Sequence, residues 1–327
     1  MLCWGCGIVN ETWLRLLVMA ACVVGASGCG GEKPPNVVLL LVDDLGWRDA
    51  GFMGSSFYAT PSMDRLAAEG MVFTHAYANG PNCAPSRASL MTGLYPPRHG
   101  VYTVGNPARG PASRRRLVPV ANRTRLDEGI PTIASTLSAA GYATANIGKW
   151  HLGSDPTAHG FGVNIGGGDA GWPPGGHFSP YGLPALPDGP AGEQLSERLT
   201  DEALAFIRAH RRSPFFLCLS YYAVHTPIQA RPEDVLTSSS RPPDGGQNNP
   251  VYAAMIASVD DSVARVLSTL DDLGLRQKTI VVLFSDNGGY GPVTSMDPLR
   301  GAKGTLYEGG FRAVSYTHLR AHETSSM

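Results

Sequence analysis

Helix-patterned and strand-patterned segments alternate along this chain, and few architectures accept that order. Asn36–Val42 is a continuous β-branched and leucine run, the composition of a strand covered on both faces. Helices are then expected over residues 62–69, 132–140, 196–210 and 252–273, with Gly70, Gly141 and Gly274 closing three of them. Each is followed by an extended segment, at residues 71–77, 142–147, 215–221 and 279–285. The alternation predicts an α/β fold: a largely parallel sheet with helices on both faces.

In open sheets of this kind a ligand sits outside the carboxyl ends of the strands. The polar residues just after those strands are therefore the ones to weigh: Asp43-Asp44, Lys149 and His151, His225, and Asp286-Asn287. Residues 160–192 are rich in Gly and Pro without periodicity and read as a long surface loop beside a pocket. Their glycines match no phosphate-binding or dinucleotide pattern.

A formal net charge of −1 over 327 residues supplies no field that would collect nucleic acid or an acidic membrane. The run Arg114-Arg115-Arg116 is the exception, and clustered arginines in a polar segment are usually solvated. Residues 14–24 form a short apolar run behind Arg15, too short to span a bilayer. Residues 1–29 thus read as a signal peptide, and residues 30–35 as a linker. The leader closes on Ala26-Ser27-Gly28-Cys29, which resembles a bacterial lipobox with Cys29 as the lipidated residue; ordinary signal cleavage is the other reading. Either exports the chain, to a periplasm or as a membrane-anchored lipoprotein. Four of the six cysteines belong to the leader, so Cys83 and Cys218 offer no disulfide framework. Cys218 lies in an apolar run and reads as a buried small hydrophobe.

Taken alone, Asp43-Asp44 is as much a turn or helix cap as a metal site, and Asp286-Asn287-Gly288 could be only a tight turn. Brought together by a parallel sheet, they make an oxygen cage suited to Ca²⁺ or Mg²⁺ and unsuited to zinc. A helix is expected from near Pro85 to Gly93, placing Cys83 at its amide-rich end with Arg87 along the same side. An anion is welcome there. A thiol so placed could itself be a nucleophile of lowered pKa.

Cys83-x-Pro85-Ser86-Arg87, continuing to Leu90 and Thr92-Gly93, resembles the first signature of the type I, formylglycine-dependent sulfatases. The run from Gly141-Tyr142-x-Thr144 through Gly148-Lys149 to His151 is similar to the second. Asp43-Asp44, His225-Thr226-Pro227, Ser285-Asp286-Asn287-Gly288, Gly301-x-Lys303 and Glu308-Gly309-Gly310 match further blocks of that family in order. The resemblance covers residues 36–312 and implies the alkaline-phosphatase-like fold, a largely parallel mixed sheet sandwiched by helices.

It also implies a chemistry. Cys83 is converted to formylglycine by a formylglycine-generating or anaerobic sulfatase-maturing enzyme, and the hydrated aldehyde attacks the sulfur of a sulfated small molecule or glycan. Asp43, Asp44, Asp286 and Asn287 hold Ca²⁺, or Mg²⁺, together with residue 83. Arg87 steadies the nucleophile, Asp286 accepts its proton, and Lys149 and Lys303 clamp the sulfate oxygens. His151 assists release of sulfate and His225 protonates the leaving oxygen. His99, in Pro97-Arg98-His99-Gly100, is left structural.

Sulfatases normally run on through another strand into a smaller carboxyl-terminal domain. Here the residues after Arg312 resemble translated sequencing-adapter read-through, so residues 313–327 are expected to be non-native and the small domain missing. Two other functions stay open: a phosphonate or phosphate monoester hydrolase of the same fold, and an exported sulfoglycan-binding protein without turnover.

Overall fold

A computed structural model of the chain describes residues 34–318, apart from the side chains of Tyr316 and His318. The leader with its four cysteines, including Cys29, and residues 319–327 of the expected tail lie outside the described residues. No helix among the described residues is long and apolar enough to cross a membrane.

Among the described residues seven strands build one sheet: β1 (Asn36–Val42), β2 (Met71–Val72), β3 (Ala143–Gly148), β4 (Val163–Ile165), β5 (Phe215–Ser220), β6 (Thr279–Ser285) and β7 (Ser315–His318). Their order is β2-β7-β6-β1-β5-β3-β4. The five from β6 to β4 run parallel, while β7 is antiparallel to both β6 and β2. The helices are α1 (Pro61–Glu69), α2 (Cys83–Thr92), α3 (Pro96–His99), α4 (Ile133–Ala139), α5 (Leu195–Ala209), α6 (Pro232–Ser239), α7 (Pro250–Asp272) and α8 (Glu308–Phe311). The fold is α/β with a largely parallel mixed sheet between helices, as its alternation requires.

Side chains alternate across β1 and β5 and so feed two cores. Val38, Leu40 and Val42, with Phe215, Leu217 and Leu219, enter a large apolar cluster closed by α1, α5 and α7. Leu39, Phe216 and Cys218 point to the other face, where Ala84, Ala88 and Met91 of α2 pack with Trp150 and Phe161. Cys218 is thus a buried small hydrophobe, and burial pushes its thiol up to about 12. Apolar demand from both faces explains why β1 and β5 carry uninterrupted apolar runs rather than an alternating pattern.

Three local expectations are corrected. The stretch after α1 is strand only at residues 71–72, with an isolated antiparallel bridge from Tyr77 to Arg312 outside the sheet strands. Residues 160–192 are not simply a surface loop: they contain β4, and His177 and Tyr181 are buried. A strand was not expected after Arg312, yet residues 315–318 pair with residues 281–284 of β6. Val314 is fully buried beside them, and its carbonyl accepts the Ser285 N–H at 3.0 Å. The short segment Ser315–His318 satisfies the backbone groups along the outer edge of β6.

Candidate active site

The carboxyl ends of β1, β3, β5 and β6 meet where β1 lies between its parallel neighbours, and the amino end of α2 closes on them. Asp43 and Asp44 leave β1, with Asp44 in left-handed backbone at φ 63. For a non-glycine residue that conformation costs about 1–3 kcal/mol, and such strain concentrates at functional positions. Several contacts hold it. The Asp44 N–H reaches Asp286 Oδ1 at 3.2 Å, and the Tyr252 hydroxyl lies 3.1 Å from the Asp44 carbonyl. That hydroxyl also donates to Asp49 Oδ2 at 2.7 Å. Asp49 is fully buried, accepts from Gly46, Thr294 and Gln247 as well, and is pushed by burial up to about 6.

The carboxylates of Asp43, Asp44 and Asp286 each bring an oxygen within 4.8 Å of the other two. Asn287 donates its amide N–H to Asp44 Oδ1 at 2.7 Å, leaving its own Oδ1 buried without a partner. Asp43 Oδ1 is likewise buried and without a hydrogen bond. Gly288 makes the arrangement compact: a Cβ there would stand 1.9 Å from the Gly309 carbonyl, so the Asn287 turn needs its glycine to pack on the Glu-Gly-Gly block.

Three cations interleave with the acids. Arg87 donates from Nε to Asp286 Oδ2 at 2.8 Å, and from Nη1 to Ser220 Oγ at 2.6 Å and the Lys149 carbonyl at 3.0 Å. Lys149 Nζ is paired with Asp43 and wholly buried, while Lys303 Nζ meets Asp44 Oδ2 at 2.5 Å and is 16% exposed. The Gly304 N–H donates to Pro81 O at 2.7 Å, bringing Lys303 beside the start of α2. Burial opposes charge on Arg87 and Lys303, but Asp286 and Asp43 raise the first, and the site's acidic groups, Asp44 and Asp43 among them, raise the second. Burial also disfavours both carboxylates, yet Lys149 holds Asp43 below the usual range, whereas Asp286, next to Asp43, is pushed up.

Cys83 is the first residue of α2, two residues before the expected start, with Asn82 as the cap position. Its Sγ lies 4.0 Å from Asp44 Oδ1 and is buried. Burial and then Asp43 push the thiol up to about 12, which speaks against Cys83 as a low-pKa thiolate. His151, also left-handed at φ 62, keeps a buried Nδ1 without a partner. Burial, Lys149 and Arg87 lower it to about 2, so its ring is neutral. His225 Nδ1 donates to the Thr226 carbonyl at 2.7 Å, and its Nε2 lies 3.8 Å from Asp44 Oδ2. Of this set Lys303, His225 and His151 retain some solvent exposure, which makes them the side from which a ligand enters.

All ten residues singled out in the sequence therefore cluster here. His99 stands apart and buried, its Nε2 3.0 Å from Ser89 Oγ and its Nδ1 accepting the Val101 N–H, a structural role. Arg114 and Arg116 are exposed. The sequence reading missed Ser220, Asp49, Tyr252 and His177. The last donates Nε2–H to the His225 carbonyl at 2.8 Å. A serine ending an apolar strand and a third acid five residues after Asp44 were the signals available.

A sulfatase family model matches residues 35–314. N-acetylgalactosamine-6-sulfatase of Canis lupus familiaris is 35% identical over 92% of this chain and 59% of its own length. The chain thus spans about three fifths of the curated relatives it matches. Among solved structures, Ps i-CgsB superimposes with a TM-score of 0.73 at 31% identity, over 89% of this chain and 67% of that one. It has also been solved in complex with k-i-k-neocarrahexaose. The phosphonate monoester hydrolase of Agrobacterium radiobacter shares the fold at a TM-score of 0.63 and 18% identity, over 87% of this chain and 68% of that one.

Proposed function

This chain belongs to the sulfatase family, and we propose that its residues 36–312 are the catalytic part of an exported enzyme that hydrolyses sulfate monoesters of sugars to alcohol and inorganic sulfate. The observation that carries the reading is the buried cluster itself: Asp43, Asp44 and Asp286 interleaved with Arg87, Lys149 and Lys303 around Cys83 at a helix start. Sugar sulfates are favoured because N-acetylgalactosamine-6-sulfatase is among the relatives and Ps i-CgsB was captured with an oligosaccharide.

The three acids and three bases balance formally, so a divalent cation makes the cluster positive where an anionic ester must arrive. The partnerless Asp43 Oδ1 and Asn287 Oδ1 fit such an ion, and an all-oxygen donor set suits Ca²⁺ or Mg²⁺. Asp43, Asp44, Asp286 and Asn287 would hold it, and its Lewis acidity would lower the pKa of a hydroxyl at residue 83 and offset the ester's charge. Formylglycine in place of Cys83 would supply a hydrated aldehyde, with one hydroxyl to attack sulfur and a second to expel sulfate afterwards. Because Cys83 is only 2% exposed, the maturing enzyme acts before the fold closes.

The chain's own groups divide the remaining work. Arg87, fixed at three acceptors, holds Asp286 in place to receive a proton from residue 83. Lys303 and Lys149 offer N–H donors to the sulfate oxygens as charge builds on them. Neutral His151 can pass a proton at residue 83 as sulfate leaves. His225 already carries a proton on Nδ1, so protonation at Nε2 equips it to give a proton to the departing alkoxide.

Kinetics on an aryl sulfate and the matching aryl phosphonate test the assignment. A kcat/KM higher for the sulfate by roughly tenfold or more is expected. A clear preference for the phosphonate would move the chain to the other hydrolase class of this fold.

A further inference from the structure

Residues 166–177 form a strap that touches both histidines of the site. The His151 N–H donates to the Gly168 carbonyl at 2.8 Å. Gly171 lies against the His151 ring, where a Cβ would come within 2.5 Å of Cε1. At the other end the His177 ring donates to the His225 carbonyl, and the His177 N–H donates to Gln229 Oε1 at 2.9 Å.

Between these anchors stands Trp172, 55% exposed, with Gly171 and Pro173 buried on either side of it. Isolated apolar side chains on a surface are ordinary, and Leu117 or Leu306 needs no special account. Trp172 differs in its setting. Its predecessor in the chain packs on His151, and Pro173-Pro174 behind it restrict the backbone. The Gly176 N–H closes a turn on the Pro173 carbonyl at 2.9 Å. An indole held on so fixed a backbone loses little freedom when it meets a ligand. Its flat face matches the C–H face of a pyranose, while the N–H edge can meet a hydroxyl.

We propose that Trp172 is a specificity-determining residue, a platform on which the sugar ring of a sulfated saccharide stacks while its sulfate enters the charged cluster. The proposal rests on the reading of the chain as a sugar sulfatase and names the part of the substrate that the cluster itself cannot recognise.

The test uses chain coexpressed with a formylglycine-generating enzyme, as wild type, Trp172→Phe and Trp172→Ala. N-acetylgalactosamine 6-sulfate and galactose 6-sulfate are the probes, with binding read by calorimetry and sulfate release read as KM and kcat. Trp172→Ala is expected to weaken binding and raise KM about tenfold for at least one sugar. The change falls on KM rather than kcat, Trp172→Phe recovers most of it, and inhibition by inorganic sulfate is unchanged because sulfate alone touches only the charged cluster. Unaltered affinity for both sugars in Trp172→Ala overturns the proposal, as does an equal weakening of inorganic sulfate, the mark of a structural prop. Sugar binding that depends on Trp172 without sulfate release keeps the platform and removes the sulfatase reading. Sulfate release indifferent to Trp172 does the reverse.

Discussion

Replacing Cys83 with alanine removes sulfate-ester hydrolysis, by roughly 10⁴-fold or more, and leaves the chain folded. The loss is large because no neighbour can take over as nucleophile. Asp43, Asp44 and Asp286 are engaged with cations, His151 is neutral and boxed in by Gly171, and Ser220 is held by Arg87. The fold survives because Cys83 contributes one small buried side chain to α2, whose apolar anchors are Ala84, Ala88 and Met91. Cys83→Ser is expected to fare little better. A serine hydroxyl could attack once but has no second hydroxyl with which to expel the sulfate. Steady-state release of sulfate, set beside a melting curve within about 3 °C of the parent, checks both halves. Activity within tenfold of the parent would remove residue 83 from the chemistry.

The largest effect on stability is expected at Arg87. The side chain is 2% exposed and is held by Asp286, Ser220 and the Lys149 carbonyl, with Asp43 Oδ1 3.9 Å from Nη2. Arg87→Met keeps much of the volume but strands the Asp286 carboxylate in a buried place and leaves the Lys149 carbonyl without its donor. Removing one partner of such a buried pair costs about 3–5 kcal/mol, because the remaining charge loses its compensation. For a domain of this size the melting temperature should fall by roughly 10 °C by calorimetry. Arg87→Lys should recover only part, since one ammonium cannot span acceptors that the guanidinium fork reaches together. A melting temperature within about 2 °C of the parent in Arg87→Met would mean that the pair is not what holds these strand ends in register.

The parts of the architecture that were legible in the sequence are those whose signal is local. β1 and β5 are buried on both faces, and β6 fully on one and partly on the other, so they read as unbroken apolar runs, and the residues that follow them fall at one crevice by the geometry of a parallel sheet. The signatures around Cys83 and Lys149 then assigned those residues to one chemistry. What escaped depends on contacts between distant segments. β7 is a strand because the edge of β6 needs a partner, and β4 because β3 does; at four and three residues both are too short to carry a readable pattern. Tyr252 looks like any core residue of a long helix until its hydroxyl is seen between Asp44 and Asp49, more than 200 positions away. His177 sat in a Gly- and Pro-rich stretch with no periodicity to mark it, and its partner is a backbone carbonyl that no side-chain pattern reveals.

The setting of the Cys83 thiol was illegible for a related reason. A helix start favours an anion, but the sequence does not show that three carboxylates crowd the same point and that the sulfur is buried among them. Those acids make a poor setting for a thiolate and a good one for a divalent cation. The account therefore rests on a Cys83 that does not remain a cysteine.

Mass spectrometry of the peptide that carries residue 83, taken from active protein made beside a maturing enzyme, tests this most directly. The account predicts the mass of an aldehyde at that position, rising in proportion to the rate of sulfate release across preparations. Full activity in protein whose residue 83 is still a thiol would contradict it.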